Sequence, residues 1–117
     1  MRENNPILEK SMEFAIRIVN LHKYLEREHK EYTLSKQILR SGTSIGANVR
    51  EAVYGQSKND FISKMSISLK EVSETEYWLE LLIKTEYITE EQYKSIKTDC
   101  VEIAKMLTAI VRSSKTK

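Results

Sequence analysis

Apolar residues recur three or four positions apart through four successive stretches of this chain, and only three glycines and one proline are available to interrupt them. That period lines up one stripe of a helix, whereas a half-buried strand would need alternation by two. The chain, 117 residues long, therefore reads as all-α. At this length one domain with one core is expected, burying roughly two-thirds of the surface that the unfolded chain exposes.

Local chemistry sets the boundaries. Asn5 can cap a helix and Pro6 can take its first position without losing a needed donor, which starts a helix over 6–28. A second helix over 34–53 begins after Thr33 and stops before Gly55. Ser57 with Asp60 resembles a capping box and opens a third helix over 58–84, while Thr89 with Gln92 forms another and opens a fourth over 90–112. The polar tail from Arg112 to Lys117 is expected to fray. Short connections make successive helices antiparallel neighbours, hence an up-down-up-down four-helix bundle ~30 to 40 Å long.

Helix 1 carries two apolar stripes, Ile7, Phe14, Ile18, Leu21, Leu25 and Leu8, Met12, Ala15, Val19, more than one contact needs. On helix 2 the facing row is Leu34, Ile38, Ser41, Ile45, Asn48 and Ala52, with Gly42 and Gly46 letting another backbone come close. Helix 3 offers Ile62, Met65, Leu69, Val72, Glu76, Leu79 and Ile83, a stripe with a carboxylate inside it, and helix 4 offers Tyr93, Ile96, Cys100, Ile103, Leu107 and Ile110. Cys100 thus reads as a core residue. A single cysteine excludes an internal disulfide and points to a reducing compartment. No apolar run approaches the ~18 residues of a membrane span, and the start of the chain lacks the apolar region of a signal peptide, so a soluble cytoplasmic protein with no membrane partner is expected.

Catalytic signatures are missing. Glu26 and His29 make one Glu-x-x-His, half of a di-metal bundle site, with no second copy; His22 and His29 read as helix-surface or helix-end residues. No serine has a recognisable histidine and carboxylate with it, and the glycines of helix 2 lack the preceding strand of a phosphate-binding loop. Neither enzyme activity, nor a metal, nor a cofactor is expected.

Polar residues within the seams are more informative. A turn near Gly55 sets Arg40 level with Glu71 and Glu74, and Glu76 level with Lys36. Arg40, Glu74 and Glu76, with Ser41, Ser44 and Asn48 nearby, then read as a partly buried polar network tying helix 2 to helix 3, and Glu71 as a solvated residue. Charge is lopsided too. The end formed by residues 1–15, 45–70 and 103–117 has ten basic residues against five acidic, the other end nine against twelve, beneath a net charge of only +2. Within helix 3, Lys58, Lys64 and Lys70 come early and Glu71, Glu74, Glu76 and Glu80 late, against the helix dipole; a solvated mixed-charge face is the commoner cause of such a pattern and a binding surface the other.

The run from Glu31 to Ala52, including Gln37, Arg40, Ser44, Ile45, Asn48 and Glu51, and the run Leu69 to Leu82 with Glu74 and Glu76, resemble the four-helix bundle proteins encoded by intervening sequences in 23S ribosomal RNA genes. The resemblance covers most of the chain. It implies an antiparallel bundle, assembly as a five-fold ring in the wider family, association with ribosomal RNA, and kinship to the accessory variability determinants of retroelements, which bind nucleic acid; it implies no catalytic residues. Arg40, Ser44, Asn48, Glu51, Glu74 and Glu76, which match positions of that pattern, are expected to form a structural polar network.

Two functions follow as expectations. In the first, a homo-oligomer, a pentamer by the resemblance, associates with ribosomal or other RNA through Lys58, Lys64, Lys105, Arg112, Lys115 and Lys117. In the second, the surplus apolar surface of helix 1, with Phe61, Trp78 and Leu82 of helix 3, binds another protein.

Overall fold

A computed structural model describes residues 5–116 as four helices, α1 (Pro6–His29), α2 (Leu34–Val53), α3 (Lys58–Lys84) and α4 (Glu90–Lys115), with no strand among the described residues. Their starts rest on the expected side chains. Asn5 Oδ1 accepts from the backbone N–H of Ile7 at 3.1 Å and of Leu8 at 3.4 Å. Ser57 Oγ accepts from Asp60 N–H at 3.0 Å, and Thr89 with Gln92 makes both bonds of a capping box, at 3.1 and 2.8 Å. Thr33 makes no such bond; instead Glu31 Oε1 accepts from Ser35 N–H at 2.9 Å.

The ends are less conventional. Lys30 and Glu86 take left-handed backbone angles, φ 53° and 68°, where glycine is usual. Bonds from Glu31 N–H to Leu25 O at 3.1 Å and from Tyr87 N–H to Leu82 O at 2.9 Å close these turns and satisfy carbonyls that the helix leaves orphaned. At the C-terminus, α4 does not stop near Arg112 but continues to Lys115, where Ser114 Oγ bonds back to Ile110 O at 2.7 Å and the basic residues complement the dipole.

Cross-helix contacts set the topology. Gly46 approaches Ser11 while Gly42 approaches Ile18, so α1 and α2 run antiparallel. Ser68 Oγ donates to Ile45 O at 2.8 Å and Thr75 Oγ1 to Ser41 Oγ at 2.9 Å, so α2 and α3 do as well. Lys97 and Glu76, 3.2 Å apart, join α4 to α3, and Arg17 and Asp99, 2.7 Å apart, join α1 to α4. The bundle closes in chain order, and its Cα trace extends 46 by 22 by 19 Å.

One core fills it. Phe14, Ile18 and Leu25 of α1, Ile38, Ile45 and Val49 of α2, Met65, Val72 and Leu79 of α3, and Cys100, Ile103 and Leu107 of α4 are all buried. Two stripes are rotated from the expected ones. On α2 the inward row contains Ser35 and Val49, leaving Leu34 and Asn48 only partly covered. On α3 it is Met65, Ser68, Val72, Thr75, Leu79 and Leu82, which moves Ile62, Leu69, Glu76 and Ile83 to its edge. The inward positions at Ser68 and Thr75 are hydroxyls, whose bonds to α2 satisfy them without a charge. Ile88, in the α3–α4 connection, is a core residue with no helical period to announce it.

Candidate nucleic-acid interface

The helix register gathers the sequence-distant basic residues toward one end, because the start of α1, the end of α2, the start of α3 and the end of α4 lie together. Ile7, Phe61, Met65, Met106 and Ile110 line one hollow there, which fixes that grouping. The candidate cations do not merge into a single patch. Lys105 and Arg112 line a shallow hollow between α3 and α4. Lys64 faces α2 and pairs with Glu51 at 3.1 Å. Lys58 is exposed at the first position of α3, Lys115 at the last of α4, and Lys117 lies outside the described residues. Lys58, Lys70, Lys105, Arg112 and Lys115 are exposed and make no ion pair among the described residues.

Toward the opposite end, one cluster of paired groups lies along the α2–α3 seam. Arg40 reaches Glu71 at 3.4 Å and hydrogen-bonds Glu74, and Trp78 Nε1–H donates to the same Glu74 carboxylate at 3.0 Å. The Arg40 bond first, then the Trp78 bond, hold the Glu74 carboxyl below its ordinary range. Glu71 is thus a partner of Arg40 rather than a solvated residue, its side chain only 19% exposed. Arg40 itself is half exposed, so the cluster sits at the rim of the α2–α3 seam and is not buried in it. Nearby, His22 Nδ1 lies 3.2 Å from Ser35 O, and His29 meets the edges of Tyr24 and Tyr87 with ring centroids 5.3 and 5.6 Å away.

Four residues expected in this polar set belong elsewhere. Glu76 is not beside Lys36; the rotation of α3 turns it to α4, where Lys97 lies 3.2 Å away. Ser44 Oγ bonds Arg40 O at 2.6 Å and Asn48 Nδ2 bonds Ser44 O at 2.9 Å, both within α2. Glu51 joins Lys64 near the other end. What ties α2 to α3 internally is the pair of buried hydroxyl bonds from Ser68 and Thr75.

Cys100 is buried in the core, and that burial, with Glu76 second, pushes its thiol up to about 12. A thiol so held is a packing group at neutral pH. Among the described residues no three His, Cys, Asp or Glu side chains are grouped to hold a metal ion, and no helix is long and apolar enough to cross a membrane.

One surface lay outside the charge argument. Between α1 and α2, Leu8, Met12, Ala15, Thr43, Ala47 and Arg50 line a hollow of about 320 Å³, with Met12 47% and Ile16 55% exposed. Its sequence signal is the second apolar stripe of helix 1. That stripe meets only the outer edge of α2, whose small residues leave it open. The surplus on helix 3 differs: Leu82 is buried in the core and Phe61 and Trp78 are partly covered.

Comparison with known proteins places this arrangement. No curated protein matches. The chain is similar to a crystal structure from Bacteroides thetaiotaomicron, described as a protein with unknown function from the S23 ribosomal protein family. The two share 65% identity with a TM-score of 0.89, over 90% of this chain and 97% of that one. The family described as 23S rRNA-intervening sequence protein matches residues 3–109, nearly the whole chain. With its four antiparallel helices, this chain belongs to the 23S rRNA-intervening sequence protein family.

Proposed function

We propose that this chain is a non-enzymatic, cytoplasmic helical-bundle protein that associates as a homo-oligomer with ribosomal RNA, or with another RNA or ribonucleoprotein, through its basic end. The observation that carries the reading is the asymmetry of charge between the two ends. The basic end has ten basic residues against five acidic, and Arg50, Lys58, Lys70, Lys105, Arg112 and Lys115 there are exposed with no ion pair among the described residues; the other end has nine basic against twelve acidic. Unpaired surface cations that release counterions from phosphates are the basis of sequence-independent nucleic-acid affinity.

Assembly would multiply that charge. Exposed apolar residues occur on α1 as Met12 and Ile16, and on α3 and α4 as Ile67, Tyr77 and Val101. Exposed apolar side chains on several helices suit contact between copies, and the family resemblance points to five copies. The α1–α2 hollow also favours a second reading, a protein–protein module that takes another chain there and leaves the charges to keep it dispersed.

One experiment separates them. Replacing Lys58, Lys64, Lys105 and Arg112 with Gln is expected to weaken binding to 23S ribosomal RNA fragments and flatten its dependence on salt from ~50 to 200 mM, while the same change at Lys23, Arg27, Lys94 and Lys97 has little effect. Both quartets remove four charges, so equal losses would refute a localised basic face. No binding at the lowest salt would leave the protein-interaction module.

A further inference from the structure

The two flanks of α4 are unlike in charge. Toward α1 it presents Asp99 and Glu102, both engaged: Asp99 with Arg17 at 2.7 Å and Lys10 at 3.7 Å, Glu102 with Lys10 at 2.6 Å. Toward α3 it presents Lys105 and Arg112, which are exposed and make no ion pair among the described residues. These two cations line a shallow hollow of about 400 Å³ together with Thr108 and with Glu76 of α3, and that carboxylate is already held by Lys97 at 3.2 Å.

Thr108 supplies a second observation. A threonine inside a helix commonly spends its hydroxyl on the carbonyl four residues back. Thr43, Thr75 and Thr98 do so, at 2.7, 2.8 and 2.8 Å. Thr108, inside α4 and partly buried, does not: its hydroxyl lines the hollow and makes no hydrogen bond among the described residues. A group that can both donate and accept is thus left unspent between two unspent cations.

The geometry of that row selects a ligand. Lys105 and Arg112 are seven residues apart, so they fall nearly in line on one helix face, about 10 Å apart along its axis, with Thr108 close to midway. Between them the lining is the small side chains Val101, Ala104 and Ala109. It holds no aromatic ring on which an unpaired base could stack, and no deep apolar seat for the anchoring side chain of a protein partner. A straight row of cation, hydroxyl and cation matches instead the regular backbone of A-form RNA. Double-stranded RNA is recognised through its phosphates and the ribose 2′-hydroxyls displayed along its shallow minor groove, with little reading of its bases.

Resting on the reading of the basic end as an RNA surface, we propose that the α4 row of Lys105, Thr108 and Arg112 binds the backbone of double-stranded RNA, with phosphates on Lys105 and Arg112 and a ribose 2′-hydroxyl on Thr108. Lys58 and Lys64, outside this hollow, add general attraction for phosphate. The protein then distinguishes an RNA duplex from the matching DNA duplex, because DNA has no 2′-hydroxyl to meet Thr108.

The test measures the anisotropy of a fluorescein-labelled RNA duplex of about 16 base pairs, the matching DNA duplex and a single-stranded oligouridylate, in low salt with the full chain. Lys105→Gln combined with Arg112→Gln is expected to weaken RNA-duplex binding by about tenfold or more and to lower the slope of log affinity against log salt by about two. The same change at Lys23 and Lys94, which also removes two charges, has little effect. Thr108→Val is expected to cost about fivefold on the RNA duplex and nothing on the DNA duplex, while Thr108→Ser, which keeps the hydroxyl, retains the preference for RNA. Circular dichroism checks that each variant folds. Unchanged RNA-duplex binding in the Lys105 and Arg112 variant, with binding lost on replacing Lys58 and Lys64, would overturn the row and keep the basic end. Equal losses on RNA and DNA duplexes in Thr108→Val would overturn the 2′-hydroxyl contact, and tighter binding of oligouridylate than of the RNA duplex would overturn the duplex as ligand. Absence of binding to every probe by the unaltered chain would overturn the row and the RNA surface together.

Discussion

α1 meets its two neighbours by different chemistry. Against α2 it packs through missing side chains: a Cβ at Gly42 would stand 2.7 Å from Ile18 Cγ1, and one at Gly46 3.3 Å from Ser11 O. Against α4 it uses long charged ones, with Arg17 on Asp99 at 2.7 Å and on Ser95 Oγ at 2.9 Å, and Lys10 on Glu102 at 2.6 Å. The first seam brings backbones close and excludes water. The second spans a wider gap and stays partly solvated. Small residues set the separation of a helix pair by steric exclusion, which is rigid and insensitive to solvent, while exposed ion pairs supply orientation with little energy and respond to salt.

The largest effect expected from breaking that contrast is at the steric seam. Gly42→Val should destabilise the bundle by about 3 kcal/mol, because overpacking against Ile18 outweighs any gain in helix propensity. Chemical denaturation would show it as a lower midpoint, and a midpoint equal to that of the unaltered chain would mean that α1 can simply shift outward. At the charged seam, Asp99→Asn removes the carboxylate shared by Arg17 and Lys10 and should cost about 1 kcal/mol at low ionic strength and less in high salt. A loss as large as that of Gly42→Val, unaffected by salt, would erase the distinction.

The smallest effect tests the same contrast on α2 and α3, where buried hydroxyls and a rim ion pair sit on one seam. Arg40→Ala should cost under about 1 kcal/mol, since Arg40 is half exposed. Its pH dependence has a definite sign. The Glu74 carboxyl is held below the ordinary carboxylate range, so its stabilising contribution is present at and above that range and is lost as pH falls through the lower folded value. Acid titration of the melting temperature should therefore show a shallower decline below pH 4.5 in Arg40→Ala than in the unaltered chain. Identical slopes would remove the Arg40–Glu74 bond from the stability of the fold.

Much of this architecture was written locally. Asn5, Ser57, Thr89 and Gln92 stand where their bonds are made, because a cap depends on residues within one turn. Gly42 and Gly46 marked the close approach. The stripes of α2 and α3 were less accurate because a stripe wide enough to cover two neighbours does not say which of its edges is the centre. Ser68 and Thr75 look like surface residues until the facing Ile45 carbonyl and Ser41 hydroxyl are in view, and Glu76 looks trapped until Lys97 is. The basic end was legible as a count of charges, whereas its division into separate hollows was not.

Periodicity, capping and chain length by themselves determined four helices, their order and their antiparallel sense, since each depends on neighbours close in sequence. Tertiary structure alone decided the rotation of each helix about its axis, hence which carboxylate faces which cation and which lysines remain unpaired. Rotation is set by the simultaneous packing of all four helices, a sum of many small contacts between residues far apart in sequence, and no single stretch of chain contains that sum.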